Sequence, residues 1–418
     1  MKISNNPSKT KYTCYFTYLA MSSVFSLPPL LFVTFRETYG ISYTLLGTLV
    51  LINFCTQLAV DLVFSFFSRY FNIKLTIRLM PVLTSVGLLI YALSPLLFPD
   101  SVYVGLVTGT FIFAIAAGLC EVLLSPLVAA LPSETPEKDM STLHSLFAYG
   151  VVTVVIISTL FFQIFGRDNW MILTVFWAAL PLISCFLFCT SPLPELNLTS
   201  ENKSASAKKQ NTGLALCVAC IFLGSAAENT MSNWISGYME NALTLPKLWG
   251  DIAGPATFAI FLGIGRTLYA RYGKKIINVL ILSMSGSIVC YLAAGLVPGV
   301  IIPAIACALT GLCTSLLWPG SLIMMEEKLP KMGVAAYALM AAGGDFGASV
   351  APQMMGMIVD AIASSSRGID LASSLSLTPD QLGMKIGVLC ATLFPIAGLI
   401  LLLFIKKYFS KKSVADVQ

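Results

Sequence analysis

The sequence predicts an all-α integral membrane protein in which twelve transmembrane helices form two parallel six-helix halves. Three observations lead to this prediction: few charged residues, twelve long apolar stretches, and a sequence repeat. Of the 418 residues, 57% are hydrophobic and 11% are charged, whereas soluble domains carry about 25% charged residues. A soluble fold of this length needs more ionic groups on its surface. The composition therefore excludes an ordinary cytosolic enzyme, a disordered chain and a nucleic-acid binder.

Twelve apolar stretches are each long enough to cross a bilayer, whose hydrocarbon core of about 30 Å requires roughly 20 helical residues. They lie at residues 12–35, 44–67, 77–98, 102–131, 140–165, 169–191, 213–241, 248–269, 276–297, 299–325, 334–363 and 384–405. Several contain a proline, which packed membrane helices tolerate. The first stretch is longer than a signal-peptide core and has no small-residue cleavage site after it, so we expect it to be retained.

The distribution of basic residues predicts the orientation of these spans. With the N-terminus in the cytoplasm, an even number of spans places both termini on the cytoplasmic side. Of the 25 Lys and Arg residues, 20 then lie in cytoplasmic segments, and five lie outside: Arg36, Arg167, Lys247, Arg367 and Lys385. This bias follows the positive-inside rule. We therefore predict a multi-pass protein of the cell membrane, with cytoplasmic termini and with basic residues that anchor the topology.

The longest polar interior segment, residues 192–212, separates six spans from six. We predict an N-terminal six-helix bundle over residues 1–191, a flexible cytoplasmic linker over 192–212, and a C-terminal six-helix bundle with a cytoplasmic tail over 213–418. A second polar segment, residues 364–383, lies on the outer side. It contains a helix-start signal at Thr378-Pro379, and we assign it no function.

The two predicted bundles share sequence at one constant offset. Residues 118–126 (GLCEVLLSP) align with residues 311–319 (GLCTSLLWP) at an offset of 193, with six of nine positions identical. The same offset aligns Gly150 with Gly343, each two residues after an aligned alanine. Because a repeat of six spans is even, both copies have the same orientation in the membrane. The alignment therefore predicts two parallel halves.

Two parallel six-helix halves joined by a polar loop resemble the major facilitator superfamily. Its signature loop, G-x-L-a-D-r-x-G-r-k, is similar to residues 266–275 (RTLYARYGKK) and more weakly to residues 65–74 (SFFSRYFNIK), although both lack the aspartate. Residues 116–126 and 144–150 (HSLFAYG) resemble the fucose-permease-like branch. That resemblance implies the major facilitator fold and makes Glu121 the protonatable carboxylate of a sugar–proton symporter. The branch also places an aspartate in span 1, where residues 22–32 contain no acid.

Carboxylates within the spans are the main candidates for proton coupling. Asp61, Glu121, Glu228 and Asp345 all lie in apolar stretches, where a charged side chain costs about 2.5–3.5 kcal/mol. Protonating a carboxyl group at neutral pH costs a similar amount, so such a group can load and release a proton. No Lys or Arg occupies the deep part of a predicted span, and we expect these acids to have no cationic neighbour. His144, near the start of span 5, is a further candidate relay.

Polar residues that neighbour aromatic residues in the spans predict a solute site. Hydroxyl groups need paired donors and acceptors, and a sugar ring stacks on an aromatic face. The predicted substrate-binding residues are Asn53, Gln57, Glu121, Tyr149, Glu228, Asn229, Asn233, Trp234 and Trp318. Other interpretations stay open. Residues 228–234 of span 7 could form a polar seam between helices, and Asp345 could make an interhelical hydrogen bond. Asp61 could serve a gate, His144 could be a satisfied helix-end residue, and Trp318 could serve packing.

Cofactors and metals are not predicted. The chain has one histidine and no loop cluster of His and Cys residues of the kind that binds zinc. All eleven cysteines lie within or at the edge of apolar spans, where free thiols behave as small hydrophobes. Cys217-x-x-Cys220 is therefore interpreted as packing, not as a redox motif.

The sequence predicts a secondary transporter that moves a small polar solute, a sugar or a related compound, across the cell membrane by alternating access and proton-coupled symport. The alternative is proton-coupled efflux of drugs or metabolites, for which the site is expected to be larger and more apolar. A membrane enzyme or sensor is disfavoured, because the chain shows neither a nucleophile–base pair nor a phosphate loop. The expected partners are the solute, a coupling proton and the bilayer. Sodium stays open as coupling ion because Asp and Asn oxygens can bind it. We expect a monomer.

Overall fold

A computed structural model describes residues 7–67, 70–134, 136–194, 207–272, 275–329 and 334–415. These residues form helices and connecting turns, and no β-strand occurs among them. Twelve helical segments are long and apolar enough to cross a membrane: Pro7–Tyr39, Tyr43–Phe64, Ile73–Ala92, Val102–Val128, Ser145–Phe165, Arg167–Cys189, Asn211–Ala242, Lys247–Tyr269, Ile276–Leu296, Ile301–Lys328, Leu339–Ser364 and Pro379–Phe409. Each coincides with one predicted stretch, which confirms the all-α membrane fold.

The chain divides into two compact units. Unit 1 contains Met1–Ile41 and Ile52–Thr199, and unit 2 contains Ser42–Leu51 and Ser200–Gln418. The main boundary falls inside the predicted linker, of which residues 195–206 lie outside the described part of the chain. The short stretch Ser42–Leu51 groups with unit 2 although the rest of its helix belongs to unit 1.

The helices of the first half are α1 Pro7–Tyr39, α2 Tyr43–Phe67, α3 Ile73–Ala92, α4 Ser94–Leu97, α5 Val102–Ala129, α6 Pro136–Phe165 and α7 Trp170–Cys189. Those of the second half are α8 Ala207–Gly237, α9 Lys247–Asp251, α10 Thr257–Tyr272, α11 Ile276–Leu296, α12 Ile301–Thr314, α13 Pro319–Lys328, α14 Val334–Ser364, α15 Ser366–Ser374, α16 Pro379–Ala391 and α17 Leu393–Ala415. Three spans of the second half are therefore built from more than one helix. The tenth is broken before Pro319, because proline lacks the backbone N–H that a continuous helix needs.

The helices pair in the same pattern in both units. In unit 1, α1 packs on α5, α6 and α7, and α3 packs on α5 and α7. In unit 2, α8 packs on α12, α14 and α17, and α11 packs on α12, α16 and α17. These pairs correspond when the spans of each half are numbered from one to six. In both halves, the first span packs on the fourth, fifth and sixth spans, and the third span packs on the fourth and sixth spans. The pairing is the one that the predicted repeat requires.

The glycines aligned by the repeat lie at equivalent helix crossings. Gly118 on α5 faces α2, where a Cβ atom would come within 3.0 Å of the Val60 side chain. Its counterpart Gly311 on α12 faces α10, where a Cβ atom would collide with the carbonyl oxygen of Phe258. Small residues allow membrane helices to approach this closely. The shared glycines therefore mark contacts between the second and fourth spans of each half.

We expect Gly311→Ala to destabilise the protein, because the added methyl group collides with backbone that cannot rotate away. Overpacking of this kind costs about 1–3 kcal/mol, and thermal unfolding of the purified protein in detergent measures the loss. Gly263→Ala is the matched control, since a Cβ atom on Gly263 meets nothing within 4 Å. Equal melting temperatures for the two variants would contradict the proposed close crossing.

Side chains cap several helix starts in unit 2, among them those of α16 and α2. Thr378 begins α16 with a capping box, accepting a hydrogen bond from the Gln381 backbone while the Gln381 side chain accepts one from the Thr378 backbone. This confirms the helix start predicted at Thr378-Pro379. The first N–H groups of α2 are satisfied from α14, because the Asp360 carboxylate accepts hydrogen bonds from the backbones of Tyr43 at 3.1 Å and Thr44 at 2.6 Å. An acidic cap also suits the positive end of the helix dipole.

The start of α6, which precedes the apolar span of that helix, is tied to α1 by an ion pair. Lys11 Nζ lies 3.1 Å from the Asp139 carboxylate. Hydrogen bonds from Ser133 and Lys11, with the positive charge of Lys11, hold the pKa of Asp139 below its usual value. The contact therefore stabilises the fold above the pKa of the unfolded carboxyl group. That contribution is lost as the pH falls through the lower pKa of the folded state.

Candidate functional site

Glu121 presents its carboxylate on the surface of unit 1. It lies on α5 with its side chain exposed, although it belongs to an apolar span. The Tyr18 phenol of α1 hydrogen-bonds Ser125 and lies close enough to interact with the charge of Glu121. Glu121 forms no ion pair with any residue that the structure describes in either unit. Among the described residues, it is therefore an acid in an apolar span without a cationic partner.

An aromatic cluster adjoins Tyr18 in unit 1. The ring of Phe147 on α6 lies 6.5 Å from that of Tyr18 and 5.4 Å from that of Phe25. Phe25 in turn lies 6.2 Å from Phe54 on α2. Sequence reasoning missed this cluster, because single aromatic residues in apolar helices give no signal that distinguishes a site from packing. Together with Glu121, the cluster offers apolar ring faces and a charged group.

Three of the predicted site residues lie four positions apart on span 2 and so share one face of that helix. Asn53, Gln57 and Asp61 are all buried, and the Gln57 amide donates to the Asn53 carbonyl oxygen at 3.4 Å. Gln57 lies against Gly118 of α5, which favours a seam between helices for this residue. Of the two predicted residues on span 5, Tyr149 is 66% exposed, while the side chain of His144 lies outside the described residues.

The second intramembrane glutamate has a cationic neighbour, which corrects the expectation that no span acid would have one. Arg266 Nη2 on α10 lies 3.5 Å from Glu228 Oε1 on α8. The sequence analysis assigned Arg266 to a cytoplasmic segment because it lies near the end of its span. Its long side chain instead reaches the middle of the neighbouring helix. Hydropathy alone does not show where a flexible side chain points.

Asn229 and Asn233 flank Glu228 on α8, with their amide groups engaged by their own helix. Asn229 Nδ2 donates to the carbonyl and hydroxyl oxygens of Ser225 at 3.1 Å each. Asn233 Nδ2 donates to the carbonyl oxygen of Asn229 at 2.9 Å. Both side-chain amides are thus held in place by hydrogen bonds. Their Oδ1 atoms accept no hydrogen bond from a described residue.

The two predicted tryptophans are packed within unit 2. Trp234 is buried, its indole N–H donates to the Pro352 carbonyl oxygen at 3.0 Å, and its ring lies 5.8 Å from that of Tyr43. The Trp318 ring lies against Gly344, where a Cβ atom would collide with it. Asp345, the next residue on α14, is buried. These contacts use the ring faces in packing, which favours the structural alternative for both tryptophans.

A buried ion triad, formed by Glu240, Lys247 and Asp251, was missed by the sequence analysis. Lys247 Nζ lies 3.1 Å from Asp251 and 3.9 Å from Glu240, and Ser236 donates a hydrogen bond to Asp251 at 2.6 Å. Lys247 was expected to anchor an outer loop, whereas its side chain is only 8% exposed. Glu240 lies within the π-helical turn Tyr238–Ala242, and a second π-helical turn, Ile252–Ala256, begins directly after Asp251. Such turns are frequent at functional sites.

Metal and thiol chemistry have no assembled site among the described residues. No group of three or more His, Cys, Asp or Glu side chains there could hold a metal ion. The cysteines are free thiols, and the Cys290 and Cys313 sulfur atoms are 4.0 Å apart, about twice the length of a disulfide bond.

The sequence matches the family model of the Major Facilitator Superfamily over residues 13–352. No curated protein sequence matches the chain. Three solved transporters have a similar structure. A bacterial homologue of the human lysosomal transporter Spinster, inward-facing and occupied, has a TM-score of 0.75 at 13% identity, covering 98% of this chain and 99% of its own.

The nucleoside transporter NupG has a TM-score of 0.65 at 14% identity, covering 95% of this chain and 99% of its own. The fucose:proton symporter FucP of E. coli has a TM-score of 0.57 at 14% identity, covering 93% of this chain and 98% of its own. At these identities, the likeness is one of fold.

Proposed function

This chain belongs to the Major Facilitator Superfamily, and from that membership we propose that it is a proton-coupled symporter for a small polar solute, a sugar or a related compound. It works by alternating access in the cell membrane, with both termini in the cytoplasm. The observation that supports proton coupling is the exposed Glu121 side chain within an apolar span, which forms no ion pair with any residue that the structure describes. Such a group alternates between charged and neutral forms as its access to water changes.

The polar solute is supported by the groups that the two units present. Unit 1 offers Glu121 beside the cluster of Tyr18, Phe25 and Phe147. Unit 2 offers Asn229, Asn233 and the pair of Glu228 with Arg266. Amide and carboxylate oxygens accept hydrogen bonds from hydroxyl groups, and aromatic faces cover the apolar side of a sugar ring. FucP, a fucose:proton symporter, is among the transporters with the same fold.

Efflux of apolar compounds is the second candidate, because unit 1 contains an apolar groove. Its volume is about 580 Å³, and it is lined along α2 and α5 by residues that include Ile52, Val63, Phe111 and Leu119. A groove of this size can accommodate a drug-sized molecule. Glu121 would then couple the proton to export instead of uptake.

Uptake by the full-length protein in proteoliposomes tests the proposed function. We expect an acidic outside to drive accumulation of at least one solute from a panel of labelled sugars and sugar acids, and a protonophore to abolish it. Thermal stabilisation of the detergent-solubilised protein by the same panel and by hydrophobic cations separates the two candidates. Stabilisation by the cations, with no response to any panel compound, would replace symport by efflux.

A further inference from the structure

Most of the hydrogen-bonding capacity of Arg266 is unused. Its Nε–H group donates to the carbonyl oxygen of Ser315 at 3.1 Å, and Nη2 lies 3.5 Å from Glu228 Oε1. A guanidinium has five N–H donors, so three make no hydrogen bond to any residue that the structure describes. The side chain is 34% exposed, against 15% for Glu228. The unused donors are therefore open to a ligand.

The contact with Ser315 fixes the orientation of the guanidinium plane. In a continuous helix, the Ser315 carbonyl oxygen would accept the backbone N–H of residue 319, four positions later. Pro319 has no N–H, and the carbonyl oxygen freed at the break between α12 and α13 is taken by Arg266 Nε. The guanidinium is thus held by backbone, while its contact with Glu228 is single and long for a charged pair.

The position of Arg266 in its span argues against a purely structural charge. The residue lies three positions before the end of the span Lys247–Tyr269, where long basic side chains ordinarily extend to the membrane surface. Here the side chain turns toward Glu228, near the middle of Asn211–Ala242. Ser315 and Glu228 together hold it in a costly location.

We propose that Arg266 binds a carboxylate group of the transported solute and that Glu228 occupies Arg266 when the solute is absent. The inference rests on the proposed symport and names its substrate class as a sugar acid, a polyhydroxylated compound with one carboxylate. A planar guanidinium with free donors binds a carboxylate in a two-bond fork. The monodentate contact with Glu228 is weaker and is displaced.

Charge balance links this exchange to one proton. Without solute, Arg266 and Glu228 together carry no net charge. When the solute carboxylate takes Arg266, Glu228 is left as a buried anion, and taking one proton from water restores neutrality. The Glu228 Oε2 atom already lacks a hydrogen-bond partner among the described residues. One solute anion therefore binds together with one proton at this pair. The proton carried by Glu121 is a second one, so each transport cycle moves one net positive charge with the solute.

Few other groups influence the titration of Glu228. Arg266 of α10 and the Tyr291 phenol of α11 interact with it electrostatically, and Tyr291 donates its hydroxyl hydrogen to the Ala227 carbonyl oxygen. The other helices packed on α8 are α9, α12, α13, α14, α16 and α17, and Lys247 of α9 pairs with Glu240 and Asp251. None of them forms an ion pair with Glu228 in the described part of the chain. Arg266 is thus the charged group that controls it.

The test compares matched pairs of neutral and acidic sugars, D-glucose with D-glucuronate and D-galactose with D-galacturonate, as ligands of the full-length protein. We expect at least one acid to bind tenfold or more tightly than its neutral partner. Arg266→Gln should remove this preference and Arg266→Lys should retain part of it. Glu228→Gln should strengthen acid binding severalfold and remove its pH dependence, because the internal competitor is gone. If the role of Glu228 were only structural, Glu228→Gln would instead weaken binding of the sugar acid.

Arg367→Gln removes an exposed arginine of the same unit and should change nothing. In proteoliposomes, acid uptake should respond to a pH gradient and should increase under an inside-negative potassium diffusion potential set with valinomycin. Equal binding of neutral and acidic partners, no binding of any acid, or acid binding unchanged in Arg266→Gln would each overturn the proposal. Uptake of neutral sugars alone would leave the proposed symport intact, whereas the absence of any proton-driven uptake would remove symport itself.

Discussion

Glu121→Gln is expected to abolish solute accumulation driven by a pH gradient while leaving the protein folded. The amide has nearly the shape of the carboxyl group and keeps its hydrogen-bonding capacity, but it cannot take up or release a proton. Because Glu121 is exposed on α5 and makes no ion pair within the described residues, its replacement leaves no opposite charge unpaired. The loss should therefore appear in coupling and not in stability.

Two transport assays separate coupling from binding in this variant. Downhill exchange of labelled for unlabelled solute should continue in Glu121→Gln, whereas uphill accumulation should fall to the level of protein-free vesicles. Glu134→Gln is the matched control, because Glu134 is an exposed glutamate in the turn after α5, outside the spans. Wild-type accumulation by Glu121→Gln would show that the coupling proton is carried elsewhere, with Glu228 as the next candidate.

Lys247→Met is expected to cause the largest loss of stability among these variants. The change leaves the Glu240 and Asp251 carboxylates together without their cation, in a place where Lys247 and Asp251 are only 8% and 1% exposed. Removing one partner of a buried ion pair costs about 3–5 kcal/mol, because the remaining charge stays desolvated. We expect a large drop in melting temperature and in the yield of folded protein.

An exposed pair of similar length provides the control for Lys247→Met. Arg167 lies 3.2 Å from Glu37, and the two side chains are 32% and 60% exposed. Because water screens this pair, Arg167→Met should cost about 1 kcal/mol or less. If Lys247→Met were as mild as Arg167→Met, the triad would be accessible to water in the folded protein and its description as buried would be wrong.

The spans were predictable because the bilayer imposes a local rule. A helix must satisfy its own backbone in hydrocarbon and needs about 20 apolar residues to cross it, so composition within each window is sufficient. The repeat was predictable for a related reason: the glycines at positions 118 and 311 hold equivalent helix crossings, and a position that admits no side chain leaves a visible mark in sequence. The helix start at Thr378 followed from its neighbours alone.

The ion pairs were not predictable in the same way. Arg266 and Glu228 are 38 residues apart in the sequence. A hydropathy window compares only residues that lie much closer together along the chain. Both Arg266 and Lys247 lie near span ends, so the sequence assigned them to loops, and their flexible side chains reach carboxylates that only helix packing brings near. For Trp234, the sequence predicted a role that packing does not favour. Its ring, suited to stacking on a sugar, packs against Tyr43.

For this protein, the order of residues was enough to establish the membrane class, the number of spans, the two related halves and the acids that lie in hydrocarbon. These properties depend on the solvent around each helix, and every residue reports its own contribution to them. The partners of those acids emerged only when the helices were packed. Electrostatic interactions act between side chains distant in sequence and within a few ångströms in space. In the part of the chain that the structure describes, Glu121 has no cationic partner and Glu228 has one, a distinction that packing alone reveals.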